Sequence, residues 1–281
     1  MTPLITLADA LRRLQTEGVP RLEAQQLVLL AAGQDPHDRA WLMAHDDRAL
    51  DEGDQTRLIA LATRWRSGEP MAYLRGEQAF RGLTLRVDPR VLVPRPDTET
   101  LVDWALERIA GLPTASRVID LGTGSGAIAL AIKRAAPDLD VWATDRSADA
   151  LSVARANAER LELRLHWAQG AWFEAVPGER FQLAVSNPPY IAADDPHLPA
   201  LRHEPRGALV AGADGLDDLR TLIRQAPEHL HPDGWLLLEH GHDQAAAVRA
   251  LLRDAGYTDV GSRNDLAGIA RCTGGRWPGA R

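Results

Sequence analysis

The chain has 281 residues, 45% of them hydrophobic and 25% charged, with a formal net charge of −7, an ordinary composition for one large or two modest globular domains. A single cysteine, Cys272, excludes an internal disulfide and a four-cysteine zinc site. An acidic chain with no run of basic residues is poorly suited to sequence-independent duplex binding, which draws its affinity from neutralised phosphates.

The first apolar run, residues 4–7, is too short for a signal-peptide core or a membrane span, so a soluble cytoplasmic protein without a membrane partner is expected. Residues 1–70 read as helical. Leu4, Leu7, Leu11 and Leu14 keep helical spacing up to Gly18 and Pro20. Leu22, Gln26, Leu29 and Leu30 carry a second helix closed by Gly33, and further patterns cover residues 39–45 and 54–66. Each has one apolar stripe, which predicts a small bundle whose stripes are core. Residues 72–93 alternate apolar and polar around the breakers Gly76 and Gly82, so residues 71–96 are expected to form a linking hairpin. Residues 97–110 read as a helix capped by Asp97 or Thr98.

From there strand and helix patterns alternate. Strands are expected at 117–121, 141–144, 163–168, 181–186 and 234–239, which implies an α/β fold with a doubly wound, mostly parallel sheet. The first strand runs into Gly122-Thr123-Gly124-Ser125-Gly126 and then the apolar run 127–132. Strand, glycine loop and helix let backbone approach a ligand at a helix N-terminus. Gly122, Gly124 and Ala127 also satisfy the G-x-G-x-x-G/A dinucleotide pattern, so this motif does not choose between nicotinamide and adenosyl cofactors. The second strand ends in Asp145, where an acidic residue meets ribose hydroxyls in either kind of site. Its alternative role is as a helix N-cap or first-turn carboxylate for residues 147–161.

The fourth strand ends in Asn187-Pro188-Pro189-Tyr190. Two prolines forbid ladder hydrogen bonds, so the strand stops there. The four residues present an amide, a rigid pair of carbonyls and an aromatic ring. The Asn187 oxygen and the Pro188 carbonyl suit the two hydrogens of a planar NH2 group, with the Tyr190 face covering it. A simple turn is the competing reading. In a doubly wound sheet, ligands bind beyond the carboxyl ends of the strands where strand order reverses. With that reversal between the first and fourth strands of the core, the glycine loop and Asn187 flank one crevice. Residues 192–215 follow as a long loop of the kind that is usually functional. A helix from about 216 meets Pro227, which should kink or end it. The pairs His229/His231 and His240/His242 have i,i+2 spacing and no zinc-ligand pattern, so no metal is expected.

Residues 120–126 followed by Asn187-Pro188-Pro189-Tyr190 resemble the S-adenosylmethionine-dependent amino methyltransferases of class I, with their Rossmann-like fold. Val93-Pro94-Arg95-Pro96-Asp97-Thr98-Glu99, residues 186–191, His203-Glu204-Pro205 and Leu236-Leu237-Leu238-Glu239-His240-Gly241 narrow the resemblance to the release-factor glutamine methyltransferases (the HemK/PrmC family), over nearly the whole chain. The resemblance implies S-adenosylmethionine as cofactor, held by Gly122, Thr123, Gly124, Ser125, Gly126, Asp145, Trp172 and Asn187. It implies Asn187, Pro188 and Tyr190 as catalytic residues, with Pro189 joining them against the substrate. The substrate implied is the Gly-Gly-Gln loop of class-1 peptide chain release factors. Residues 1–70 would recognise the rest of that factor, residues 97–281 would form the methyltransferase domain, and the protein would act as a monomer. One position departs from the family: Ala171 stands before Trp172 where an acidic residue is usual, so adenine would be held mainly by Trp172 packing and backbone.

The chemistry is consistent with that set. A carboxamide nitrogen is a poor nucleophile because its lone pair is delocalised into the carbonyl. Methyl transfer to it needs the methyl held in line and the NH2 oriented, and two acceptors on its hydrogens favour the positive charge that develops. No strong general base is required before attack, because the departing thioether is neutral. An adenine amino group obeys the same logic, so a DNA adenine amino-methyltransferase is the alternative; it would need base flipping and a basic recognition region. A nicotinamide-dependent oxidoreductase leaves the Asn-Pro-Pro-Tyr placement unexplained, and a non-catalytic binding protein would not need an intact amide-binding set.

Overall fold

The computed structural model describes residues 5–279; Leu4, the start of the first stripe, lies outside them. Thr6 opens helix α1 (Leu7–Thr16) with a capping box: its hydroxyl accepts from the Asp9 N–H, and the Asp9 carboxylate accepts from the Thr6 N–H. Helices α2 (Arg21–Ala31), α3 (Arg39–Ala44), α4 (Glu52–Arg66) and α5 (Met71–Arg75) follow. Their core gathers Leu7, Leu14, Leu27, Leu29, Leu42 and Leu50. Leu22 is exposed, and Leu27 and Val28 are buried in its stead. Helix α2 touches α1, α3 and α4, so it buries a broader face than one stripe. Residues 71–75 are helix rather than hairpin: Ala72, Tyr73 and Leu74 are all buried, and Gly76 at φ 75° closes α5 in the left-handed conformation. The chain divides into two compact units at that glycine, Met1–Gly76 and Glu77–Arg281.

The second unit begins with the hairpin β1 (Glu77–Phe80) and β2 (Leu83–Arg86). Then come α6 (Glu99–Ile109), β3 (Arg117–Leu121), α7 (Ala127–Ala135), β4 (Asp140–Asp145), α8 (Ala148–Arg160), β5 (His166–Gln169) and β6 (Phe181–Ser186). The chain closes with α9 (Asp217–His229), β7 (Leu230–Glu239), α10 (Ala245–Asp254), β8 (Thr258–Asn264) and β9 (Ala270–Arg276). The seven-stranded sheet runs β5-β4-β3-β6-β7-β9-β8. Strands β3 to β7 are parallel, and β9 enters antiparallel between β7 and β8. Strand order therefore reverses between β3 and β6, as the doubly wound reading requires. Alternate residues feed opposite layers: Val118, Leu183 and Leu237 pack with α6 and α7, while Ile119, Ala184 and Leu236 pack with α9 and α10.

Three local expectations shift. Strand β7 starts at Leu230, four residues early, and β5 lies at His166–Gln169. Pro227 does not end α9, which continues to His229. The carbonyl its missing N–H would have taken, that of Ile223, accepts instead from the Tyr257 hydroxyl at 3.4 Å. The β8–β9 pair adds two strands beyond the five expected in the core. Here Gly274 is required: a Cβ on it would come within 2.4 Å of Leu237 and 2.6 Å of the Leu236 carbonyl. Among the described residues, no helix is long and apolar enough to cross a membrane.

Candidate active site

At the carboxyl ends of β3 and β4 the glycine loop forms one wall of a cleft lined by Gly122, Thr123, Gly124 and Ser125. The N–H groups of Gly122 and Thr123 both donate to the Thr144 carbonyl, at 2.9 and 2.8 Å, which folds the loop over β4. Asp145 completes the clasp. Its Oδ2 accepts from the Gly124 N–H at 3.0 Å and its Oδ1 from the Ser147 N–H at 2.9 Å. Each oxygen keeps a lone pair for a ligand hydroxyl. The helix cap considered for Asp145 belongs to Ser147, whose hydroxyl accepts from the Ala150 N–H. Gly126 does not line the cleft; its Cβ would sit 2.9 Å from Leu130 and 3.3 Å from Ala154, so it serves helix packing. Behind the loop Asp120 is buried. Its Oδ2 accepts from the Thr123 hydroxyl and the Ala129 N–H, and its Oδ1 has no partner among the described residues. Burial pushes its carboxyl up to about 7.

Trp172 closes that side. Its ring lies over Gly122, where a Cβ would meet it at 3.0 Å. The residue holds φ 52°, a left-handed conformation that costs a bulky side chain of order 1–3 kcal/mol and concentrates at functional sites. The carboxyl of Asp218 is raised chiefly by burial, an influence the Trp172 indole opposes. Ala171 lines the cleft beside it.

The other wall is built at the end of β6. The Ser186 hydroxyl donates to the Leu121 carbonyl at 2.6 Å, which ties the β6 terminus to the glycine loop. Asn187 lines the cleft and donates from Nδ2 to the Thr98 hydroxyl at 3.2 Å. Thr98 therefore makes no cap for α6; its hydroxyl is spent on the site. Neither Asn187 Oδ1 nor the Pro188 carbonyl has a hydrogen bond to the protein among the described residues. Pro189 lines the cleft, whereas Pro188 and Tyr190 do not. Tyr190 is half-buried, with its hydroxyl 3.4 Å from Glu239 Oε1, and burial raises its phenol, so it stays protonated.

Residues 192–215 are held by short 3-10 turns, by backbone bonds from Ile191 to Leu209 and from Ala211 to Ile191, and by one buried carboxylate. Glu204 accepts from the Val93 N–H at 3.0 Å and pairs with Arg95. The Val-Pro-Arg-Pro and His-Glu-Pro stretches, 111 residues apart, thus meet at the cleft mouth, where Arg95, Pro205 and Gly207 all face in. Sequence reasoning gave Thr98 only a capping role and Arg95, Glu204 and Glu239 none, although each lies in a stretch that carried the family resemblance. Of the paired histidines, His229 stacks on Phe173, and His240 sits between the Gly241 carbonyl and the Thr273 hydroxyl. Among the described residues no group of three His, Cys, Asp or Glu could hold a metal ion.

The chain matches two family models, the PrmC N-terminal domain over residues 6–76 and the methyltransferase small domain over residues 99–203. It is 50% identical to a release factor glutamine methyltransferase of Bordetella pertussis over 261 residues, covering 92% of this chain and 95% of that one. A protein of the same name from Xylella fastidiosa is 49% identical over 281 residues, covering 99% of each. A crystal structure of a methyltransferase from Pyrococcus furiosus, 20% identical, covers 78% of this chain and 98% of its own with a TM-score of 0.54, a likeness of fold.

Proposed function

The chain belongs to the release factor glutamine methyltransferase family, and on that premise we propose that it methylates the side-chain amide nitrogen of the Gly-Gly-Gln glutamine in class-1 release factors, with S-adenosylmethionine as donor. The cofactor wall fits such a donor. Gly124 lines the cleft with φ 56° and open space where a Cβ would project, so bare backbone is presented. Asp145 offers free lone pairs to ribose hydroxyls, and the Trp172 face offers a surface for adenine. S-adenosylmethionine supplies an electrophilic methyl group and leaves as a neutral thioether.

The chain's own residues supply orientation. Asn187 Oδ1 and the Pro188 carbonyl are the two acceptors for the glutamine NH2, which fixes the nitrogen lone pair toward the methyl and favours the charge that builds on nitrogen. The excess proton passes to water after transfer, so no base need touch the nitrogen. The carrying observation is that Asn187 shares one cleft with the glycine loop while its NH2 end is already committed to Thr98. That leaves the oxygen free to accept from the substrate amide.

The Met1–Gly76 unit recognises the body of the factor in this reading. It has its own apolar core and exposes Met43 and Ile59. The reaction then takes place in the cytoplasm, among translation factors. The test is incubation of release factor with the full chain and S-adenosylmethionine, followed by peptide mass spectrometry. One methyl on the Gly-Gly-Gln glutamine is expected, and methylated duplex DNA beside an unmodified factor would overturn the assignment. In the same assay, removing residues 1–76 should raise KM for the factor and leave cofactor affinity intact; an unchanged KM would make that unit a stabilising element only.

A further inference from the structure

Helix α8 carries a wholly buried asparagine that the reaction as described does not use. Asn157 is 0% exposed and lies within a helix, a setting that disfavours asparagine, so its worth lies in the bonds it makes. Its Oδ1 accepts from the Arg86 N–H at 2.7 Å. Its Nδ2 donates to the Arg86 carbonyl at 3.0 Å and to the Ser125 carbonyl at 2.9 Å. The orientation of this carboxamide is unambiguous, because the two carbonyls only accept and the backbone N–H only donates.

The two places it joins differ in kind. Arg86 ends β2 in register with Glu77, so it belongs to the hairpin with which the Glu77–Arg281 unit begins. Ser125 belongs to the glycine loop and lines the cleft. The first half of that loop is held by the end of β4: Gly122 and Thr123 by the Thr144 carbonyl, Gly124 by Asp145. The Ser125–Gly126 peptide is held differently. Its N–H donates to the Thr123 carbonyl at 2.8 Å, and its carbonyl is taken by Asn157. Ala154, three residues before Asn157 and on the same face of α8, stands 3.3 Å from where Gly126 would carry a Cβ. Helix α8 therefore abuts the loop along this face.

A glycine-rich loop without such a hold samples many backbone states, and ordering them opposes binding. We propose that Asn157 is a positioning residue for the cofactor. It fastens the Ser125 end of the glycine loop to the β1–β2 hairpin, so that the loop meets S-adenosylmethionine already in its binding conformation. Asn157 does not line the cleft and acts through Ser125. The proposal rests on the cofactor wall described above. Alanine, the best helix former, removes all three bonds without straining α8, and leaves the Ser125 carbonyl and both backbone groups of Arg86 without their partner.

Titration calorimetry of the full chain with S-adenosylmethionine tests this, because it separates Kd from the fraction of competent protein. If wild type does not bind S-adenosylmethionine, the cofactor assignment fails, and not this step. Asn157→Ala should raise Kd about 10-fold, the upper end of the net worth of one hydrogen bond. At saturating cofactor, kcat and KM for the release factor should stay within about two-fold of wild type. Arg160, whose guanidinium donates to the Thr84 carbonyl of the same hairpin, supplies the control. Arg160→Ala loosens the hairpin from α8 without touching the loop and should leave Kd within about two-fold. If Asn157→Ala does not fold, amide exchange of the wild type decides. S-adenosylmethionine should slow exchange of the Arg86 N–H by more than it slows the β8–β9 pair, which reports the global gain that any ligand gives. A wild-type Kd in Asn157→Ala, with or without a fall in stoichiometry, would make the residue a stabilising element only and overturn the proposal. So would an equal rise of Kd in Arg160→Ala, or an Arg86 N–H protected no more than the β8–β9 pair.

Discussion

The two walls of the cleft are built from different materials. The cofactor wall is backbone: Gly122 and Gly124 at positive φ, two amides folded onto the Thr144 carbonyl, and Asp145 fastened to the loop it serves. The amide wall is side chain: Asn187 on Thr98, and the buried Glu239 under Tyr190. Each is backed by one buried carboxylate with an unpartnered oxygen, Asp120 or Glu239, raised by burial to about 7. A wall of backbone binds a ligand that is the same in every turnover. A wall of side chains must discriminate the transition state from the bound ground state, so it should fail in rate before it fails in affinity.

The largest expected effect tests that division directly. Asn187→Ala removes one preorganised acceptor from the reacting amide and should lower kcat by about 10²–10³, by analogy with the loss of one oxyanion-hole donor. Cofactor affinity by calorimetry should change little. A large loss of affinity with kcat preserved at saturation would assign Asn187 to the cofactor wall and erase the contrast.

Asp145→Ala is the converse and should be smaller. It removes the acceptor for the Gly124 and Ser147 amides together with the partner offered to the ribose. Cofactor affinity should weaken by about 1.5–3 kcal/mol, the range for hydrogen bonds to a charged group. Turnover at saturating cofactor should stay near wild type. A fall in kcat without a change in affinity would mean that the glycine loop also positions the methyl group.

How legible the two walls were follows from the same difference. Backbone geometry leaves a local mark: Gly122 and Gly124 sit between a strand and a helix, and Asp145 ends the next strand, so the cofactor wall could be read within about 25 residues. The parallel strand order was legible for the same reason, through alternating periodicity. The amide wall was legible only at its tip. Asn187 and Pro188 stand out because two prolines end a strand, but Thr98 lies 89 residues away in a stretch that reads as a helix start. Nothing local distinguishes a capping threonine from one spent on a distant asparagine. Glu239 reads as the polar end of a buried strand. The β8–β9 pair was hidden by Gly274 and Gly275, where glycine permits close approach in the sheet rather than breaking it. Gly126, read as part of the cofactor loop, also packs closely against Leu130 and Ala154.

The smallest expected effect bears on Tyr190, which like Pro188 stands off the cleft lining. Its ring was expected over the substrate NH2, yet it does not line the cleft, and its hydroxyl points to Glu239. The 3.4 Å separation exceeds the usual 2.5–3.0 Å for such a bond, so deleting the hydroxyl removes little energy. Tyr190→Phe keeps the packed ring, and kcat at pH 8 should stay within about three-fold of wild type, the low end for a neutral hydrogen bond. A loss of 10-fold or more at pH 8 would place the hydroxyl on the substrate itself, and the amide wall would then extend one residue beyond where the structure draws it.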